Sequence, residues 1–437
     1  MKRSSLSASE EDGVCANKLC KKESAPTTLN KQQQQLFDYV TLTKEFGPIF
    51  VSGSAGTGKS ALLRALQSHW KNKTIWVTTY TNLAARNVNG TTLHKQFKFN
   101  FKGEMNTNAC VGVPNYFIID EISMVSSKML QQIHECLQNN TQVDLPFGGV
   151  NTIVFGDLYQ LPPISTAKDK SLPPYHADVW KEFKLFELTE NMRQNEKDFI
   201  DALNMLRIGD SRCQKFFDDK VLQKSPSVEE KLNTTSLVST HNEANAINEQ
   251  CYKRICIDKE EHTVELSVEK TNRGRDMIVF NQNQIDMIFK DKMKYCVGTR
   301  IMVTHNVAGV FCNGDVGEIV GIEERGVLIK REYDDRVLVL SMIELAFDDD
   351  NWRTVTLITG LPMCYAWAIT IHKAQGMTVK SVIVHPECVF AKGQAYVALS
   401  RVTHFEGLKL VSPLPKKCIK KMKDVDKIYT SQPRLIL

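Results

Sequence analysis

No stretch of this sequence approaches the roughly 20 consecutive apolar residues a bilayer-crossing helix needs, which excludes a helical membrane span. The opening residues, MKRSSLSASEEDG, put no apolar stretch behind their basic pair, so no secretory signal is expected. Charge of one sign is also scarce. The 55 lysines and arginines exceed the 50 acids by only five, too few to argue for a nucleic-acid partner without local residues. Cysteine is present but unpatterned. The nearest pairs, Cys15/Cys20 and Cys251/Cys256, are both C-x4-C, and neither has a second pair at zinc-ligand spacing. A disulfide framework and a zinc module are therefore not expected, and reduced thiols in an intracellular protein are.

What is there is ordinary globular material: 437 residues, 42% hydrophobic and 24% charged. At about 100–200 residues per domain this suggests two to four domains. Residues 1–28, rich in Ser, Lys and Glu, read as a disordered tail. From Leu29 onward, apolar runs at Ile49–Val51, Thr74–Thr79, Tyr116–Ile119 and Thr152–Phe155 alternate with helical patterns. Uniformly apolar strands fit a parallel sheet buried on both faces. The rhythm resumes at Ser236–Ser239, Val382–Val384 and Leu408–Val411. Between them, about 293–358, short strand-like runs are punctuated by Gly, Asn and Asp, as in a small antiparallel barrel. The expected fold is α/β: one parallel-sheet domain over 29–185, and a second over 186–292 and 359–437 that carries the barrel as an insertion.

Gly53-Ser54-Ala55-Gly56-Thr57-Gly58-Lys59-Ser60 satisfies G-x4-G-K-[ST], after a strand and before a helix, as that motif requires. Its glycines let backbone N–H groups curl around phosphates at a helix N-terminus. Lys59 is placed to neutralise phosphate charge and Ser60 to offer a hydroxyl to Mg²⁺. An apolar strand then delivers Asp120 and Glu121: Asp120 to hold Mg²⁺ through water, Glu121 to activate the water that attacks the γ-phosphate. The cofactors implied are ATP and Mg²⁺. Farther on, Phe155-Gly-Asp157-Leu-Tyr-Gln160 ends a buried strand with an acid and an amide. Arg193 and Arg401 each stand beside short apolar segments, suited to clamping a γ-phosphate. Ile371-His372-Lys373-Ala-Gln375-Gly376 offers polar groups ahead of a glycine turn, suited to phosphate or sugar.

In this order, LNKQQQQLF, GSAGTGKS, VTTYTNLAARN with TLHKQF, FIIDEISM, PFGG, GDLYQLPP, LTENMRQ, CNGDVG, AWAITIHKAQGMT and FAKGQAYVALSRV resemble the PIF-one family of superfamily 1 DNA helicases. The resemblance runs from about Leu29 to the C-terminus. It implies two RecA-like domains and an ATP-dependent helicase moving 5′→3′ on single-stranded or forked DNA, in replication, recombination or repair. By that resemblance Gln33 is the adenine-reading glutamine, Gln160 the coupling residue, and Arg193 and Arg401 arginine fingers. Thr79, Thr81, His94, His372 and Lys373 are then strand-tracking positions, while Gln375 and Gly376 border the nucleotide. RNA or an RNA–DNA hybrid remains an alternative track, and an ATP-gated binding switch an alternative activity. Asn82 departs from the family's usual glycine. The segment near 95–113 is short for the family, and its alternation puts Phe97, Phe99 and Phe101 on one face, Lys98, Asn100 and Lys102 on the other. Two readings follow: phenylalanines packed inward, or a strand-separating wedge in which Phe97 and Phe99 stack on bases. The basic run Lys416–Lys423 has two readings: a nuclear-localisation or DNA-binding patch, or a terminal helix with a solvated lysine face that buries Ile419, Met422 and Ile428 against the second domain.

Overall fold

A computed structural model describes residues 28–99, 103, 105, 112–164, 171–191, 196–272, 279–280, 282–307, 309–348 and 354–437. The first domain is a six-stranded, all-parallel sheet. Its strands are β1 (Ile49–Gly53), β2 (Ile75–Thr79), β3 (Thr91–Thr92), β4 (Tyr116–Asp120), β5 (Asn151–Gly156) and β6 (Lys184–Leu188), in spatial order β3-β2-β4-β5-β1-β6. Every residue of β1 is buried, as a strand covered on both faces must be. On one face, α1 (Lys31–Leu42) and α2 (Lys59–His69) pack Leu36, Val40, Leu62 and Leu66 onto Val51 and Phe155. On the other, helix Ser127–Thr141 packs Met129, Leu130, Ile133 and Leu137 beside Phe117 and Phe147. Helix α1 begins where Asn30 closes a capping box with Gln33.

The second domain is a parallel four-stranded sheet, Ala368–Thr370, Thr235–Val238, Val382–Val384 and Leu408–Leu410 in spatial order. Both domains are RecA-like. The expected boundary at 185/186 falls inside β6, which pairs with β1 along its whole length. The inserted β region is also wider than 293–358. Its five-stranded antiparallel sheet ends on Met363–Tyr365, and the ladder of His262–Glu265 with Lys292–Tyr295 contributes Val264, Met293 and Tyr295 to the same core. A further sheet joins Ser267–Asn272, Val279–Phe280, Ile343–Asp348 and Thr354–Gly360. These pairings join strands far apart in sequence, so local patterning does not reveal them.

The C-terminal segment departs from expectation. Helix Lys423–Ser431 begins after most of the basic run, and Met422, Val425 and Tyr429 enter the first domain's core beside Phe50 and Trp180. Ile428 packs there too, whereas Ile419 packs against the second domain. Beyond the helix, Leu185 donates to Pro433 O and accepts from Leu435 N, extending the sheet past β6. Apolar spacing predicted a buried helical face; it could not say which domain that face meets. Among the described residues, no helix is long and apolar enough to cross a membrane.

Candidate nucleotide site and the cleft between the domains

The phosphate loop joins β1 to α2. Gly56 and Gly58 hold φ of +90° and +78°, a region L side chains rarely adopt, and Gly58 caps α2. Within the loop, Thr57 Oγ1 donates to Ser54 O at 2.9 Å. Lys59 Nζ donates to Gly53 O at 2.5 Å and Ser54 O at 3.1 Å, so the ammonium lies inside the loop's concavity. Desolvation lowers its pKa, opposed by the carboxylates of Asp157, Glu121 and Asp120.

Asp120, at the C-terminal end of β4, is buried; burial and the adjacent Glu121 charge push its carboxyl up to about 7. Glu121 N–H donates to Asp120 Oδ1 at 2.9 Å, and Glu121 itself adopts φ +54°. Glu121 Oε2 is buried without a hydrogen-bond partner, and so is Gln375 Oε1. Orphaned acceptors of this kind are costly unless something else satisfies them. Unpaired acceptors beside a lysine-filled phosphate loop fit a cation and a water at the phosphates, and Ser60 and Asp120 would hold such a metal.

The second domain reaches this site through Gln375. Its Nε2 lies 3.4 Å from both Gln160 Oε1 and Ser123 Oγ, so two sequence-predicted residues meet across the cleft and Ser123 joins them. Gly376 contributes its carbonyl to Asn87 Nδ2 at 3.0 Å.

A second cluster was not foreseen. Arg207, on helix Lys197–Ile208, places Nε 3.0 and 2.8 Å from the two oxygens of Asp157. Tyr396 donates its hydroxyl to the same carboxylate at 3.1 Å and accepts Ala55 N–H from the phosphate loop at 3.0 Å. The Tyr429 hydroxyl sits 2.5 Å from Ser52 Oγ and accepts from Leu158 N. Burial alone would lower the Arg207 pKa, but Asp157 and Tyr429 outweigh it and hold the guanidinium charged. Burial raises the Tyr396 pKa, and Asp157 raises it further. The acid in GDLYQ signalled Asp157; nothing local marked Arg207 or Tyr396 as its partners.

Other expected residues fall differently. Gln33 is fully buried: its Oε1 accepts Asn30 N–H and its Nε2 donates to Thr57 O at 3.0 Å. Its amide buttresses the phosphate loop here and is not open to adenine. Gln32, not singled out beforehand, accepts the N–H groups of Thr189 and Glu190. Arg401 is buried, donating to Val397 O, Met377 O and Ser400 Oγ. Arg193 lies outside the described residues.

Of the strand-tracking positions, Thr79 is buried with its hydroxyl on Thr81 O, and Thr81 caps helix Asn82–Asn87. His94 packs against Tyr80 and Phe99, and burial lowers its pKa. His372 is half-buried and Lys373 exposed. The base-stacking assignment of Phe97 and Phe99 is corrected. Phe97 has no exposed surface and meets Trp76 and Phe117 edge-on, and Phe99 is 9% exposed. Nor is 96–99 a strand: Phe97 ends helix Leu93–Gln96 and Lys98 turns at φ +54°. Asn100, Phe101 and Lys102 lie outside the described residues.

Helix Asn82–Asn87 docks on the inserted barrel. Arg86 pairs with the buried Asp315 of CNGDVG, its guanidinium over the Tyr333 ring, and Asn306 Nδ2 donates to Asn82 Oδ1 at 3.2 Å. Asn82, the departure from glycine, thus carries an interdomain hydrogen bond.

Two RecA-like domains with a phosphate loop, paired acids and a glutamine contact at their cleft define a P-loop nucleotide-binding protein of the two-domain motor architecture. Residues 28–218 match the family model of the PIF1-like helicases. It is 30% identical over 404 residues to the ATP-dependent DNA helicase PIF1 of Xenopus laevis, covering 84% of this chain and 59% of that protein. The Mus musculus PIF1 is 30% identical over 419 residues, covering 90% and 61% respectively. The chain thus spans about three fifths of the curated relatives' length. Among solved structures, Bacteroides Pif1 bound to ssDNA superposes with TM-score 0.76 at 26% identity, covering 93% of this chain and all of that one.

Proposed function

We propose that this chain is an ATP-dependent DNA helicase that translocates 5′→3′ on single-stranded DNA and opens duplex ahead of it. The observation that carries the reading is the contact of Gln375 with Gln160 and Ser123, beside the unpartnered Glu121 carboxylate. It joins the hydrolytic side chains of one domain to a strand end of the other. Polarity and the DNA substrate rest on likeness to the PIF1 relatives, which are named as DNA helicases. An intracellular location goes with this reading, since ATP and DNA are met there.

In the cycle, Lys59 leaves the loop carbonyls for the β- and γ-phosphates of ATP. Glu121 orients the attacking water and takes its proton on Oε2. Ser60 and Asp120 would hold Mg²⁺, which would supply neutralisation of the phosphate charge. Gln160 and Gln375 report the γ-phosphate to the second domain. Arg193 and Arg401 act as arginine fingers on cleft closure, Arg401 exchanging its carbonyl partners for phosphate oxygens. Thr81, His94, His372 and Lys373 alternate their grip on the strand as the cleft opens and closes.

The test is strand displacement with ATP and Mg²⁺ on duplexes bearing only a 5′ tail or only a 3′ tail, with Lys59→Ala alongside. Displacement from the 5′-tailed duplex alone, lost in the variant, is expected. Displacement from the 3′ tail alone overturns the direction. DNA-stimulated ATP hydrolysis without displacement overturns unwinding.

A further inference from the structure

Phe390 projects from the second domain with 69% of its surface exposed, although the residues on either side of it are pinned. Val389 is 1% exposed in the core, and Gln394, wholly buried, accepts the N–H groups of both Phe390 and Ala391 at 3.1 and 3.2 Å. An apolar ring held toward water on a fixed backbone costs hydration free energy that ordinary core packing would recover. The ring is not isolated. It lies 6.4 Å from the His372 imidazole at an interplanar angle of 27°, a near-parallel arrangement.

The surroundings are cationic. His372 leaves the sheet just after Ala368–Thr370, and His241 follows the neighbouring strand Thr235–Val238, so both emerge from the same sheet edge. Lys373 follows His372 directly in the chain, and Lys373 and Lys290 both disfavour charging His241. Lys290 and Lys373 are exposed. An exposed flat aromatic face backed by His372, with exposed Lys373 next to that histidine in the chain, suits a polyanion that carries flat apolar rings, which is single-stranded nucleic acid.

We propose that Phe390, backed by His372, is a base-stacking platform on the second domain, receiving one nucleobase of the tracked DNA strand while Lys373 and Lys290 meet the flanking phosphates. This rests on the single-stranded-DNA reading above and adds a residue to it. Stacking is sequence-tolerant, because every base presents a π-face, so the platform grips without reading sequence.

The experiment measures binding of the full chain to fluorescent oligo(dT) and to an abasic oligomer of equal length at one salt concentration. Phe390→Ala, Phe390→Leu and Phe390→Trp are compared with wild type, with melting temperature and DNA-independent ATPase as controls. Loss of stacking predicts roughly tenfold weaker oligo(dT) binding for Ala and for Leu, retention for Trp, and equal abasic binding by all four. Leu keeps the bulk of a hydrophobe without the π-face, so a packing role would spare it. Wild-type affinity in both Ala and Leu overturns the platform and leaves the motor reading intact. A wild type that binds no oligo(dT) overturns both.

Discussion

Arg207 and Asp157 meet across the domain boundary at 2.8 Å, and the carboxylate has no exposed surface. The pair ties the strand end that carries Gln160 to helix Lys197–Ile208 of the second domain, and Tyr396 links the same carboxylate to the phosphate loop at Ala55.

Removing one partner of such a pair leaves a buried charge uncompensated, which costs about 3–5 kcal/mol. Arg207→Met is therefore expected to lower the thermal transition strongly, and Arg207→Met with Asp157→Asn to recover much of the loss. Melting curves of the wild type, both single variants and the double variant give the coupling directly. A double variant no more stable than Arg207→Met would show that the two residues do not act as a pair.

The C-terminal segment is expected to stabilise the first domain, not the second. Truncation after Met422 exposes Phe50 and Trp180, against which Tyr429 now packs. The subtler Tyr429→Phe removes the hydroxyl shared with Ser52 and Leu158, at about 1–2 kcal/mol. Hydrogen exchange checks the location. Faster exchange in β1 and β6, with the second-domain sheet unaffected, is the expected pattern.

Phe97→Ala opens a cavity among Trp76, Phe117 and Phe99, costing about 3–5 kcal/mol. Phe97→Leu, milder in volume, should unwind a forked duplex at the wild-type rate per folded molecule. A selective unwinding defect in a well-folded Phe97→Leu protein would restore the wedge.

Acidification should destabilise the fold through its histidines. Burial lowers the pKa of His94, His134, His305, His372 and His385, and of His241 with help from Lys373 and Lys290. Each then binds a proton more readily unfolded than folded. Their contribution is fully present above about pH 6.5 and is lost as pH falls through the lowered folded values. Asp120, raised to about 7, acts the other way between pH 7 and 5, so the histidine effect is read in an Asp120→Asn background: there denaturant midpoints between pH 7.5 and 5 should fall, with net proton uptake on unfolding. A midpoint that rises toward pH 5 would contradict the sign.

The sequence by itself determined the features whose chemistry is local. A phosphate loop needs glycines, a lysine and a hydroxyl within eight consecutive residues, so Gly53 to Ser60 could be read directly, as could Asp120 and Glu121 at the end of an apolar strand. Apolar runs likewise marked most strands of both parallel sheets, because strands buried on both faces leave a continuous signal. Only the tertiary structure decided what depends on partners distant in the chain. It spent the Gln33 amide on Thr57, turned Phe97 into the core, sent Tyr429 back to the first domain, and set Arg207 against Asp157. A side chain's type and spacing say that it will be buried or bonded. Which surface buries it is fixed only when elements tens to hundreds of residues apart compete for the same space.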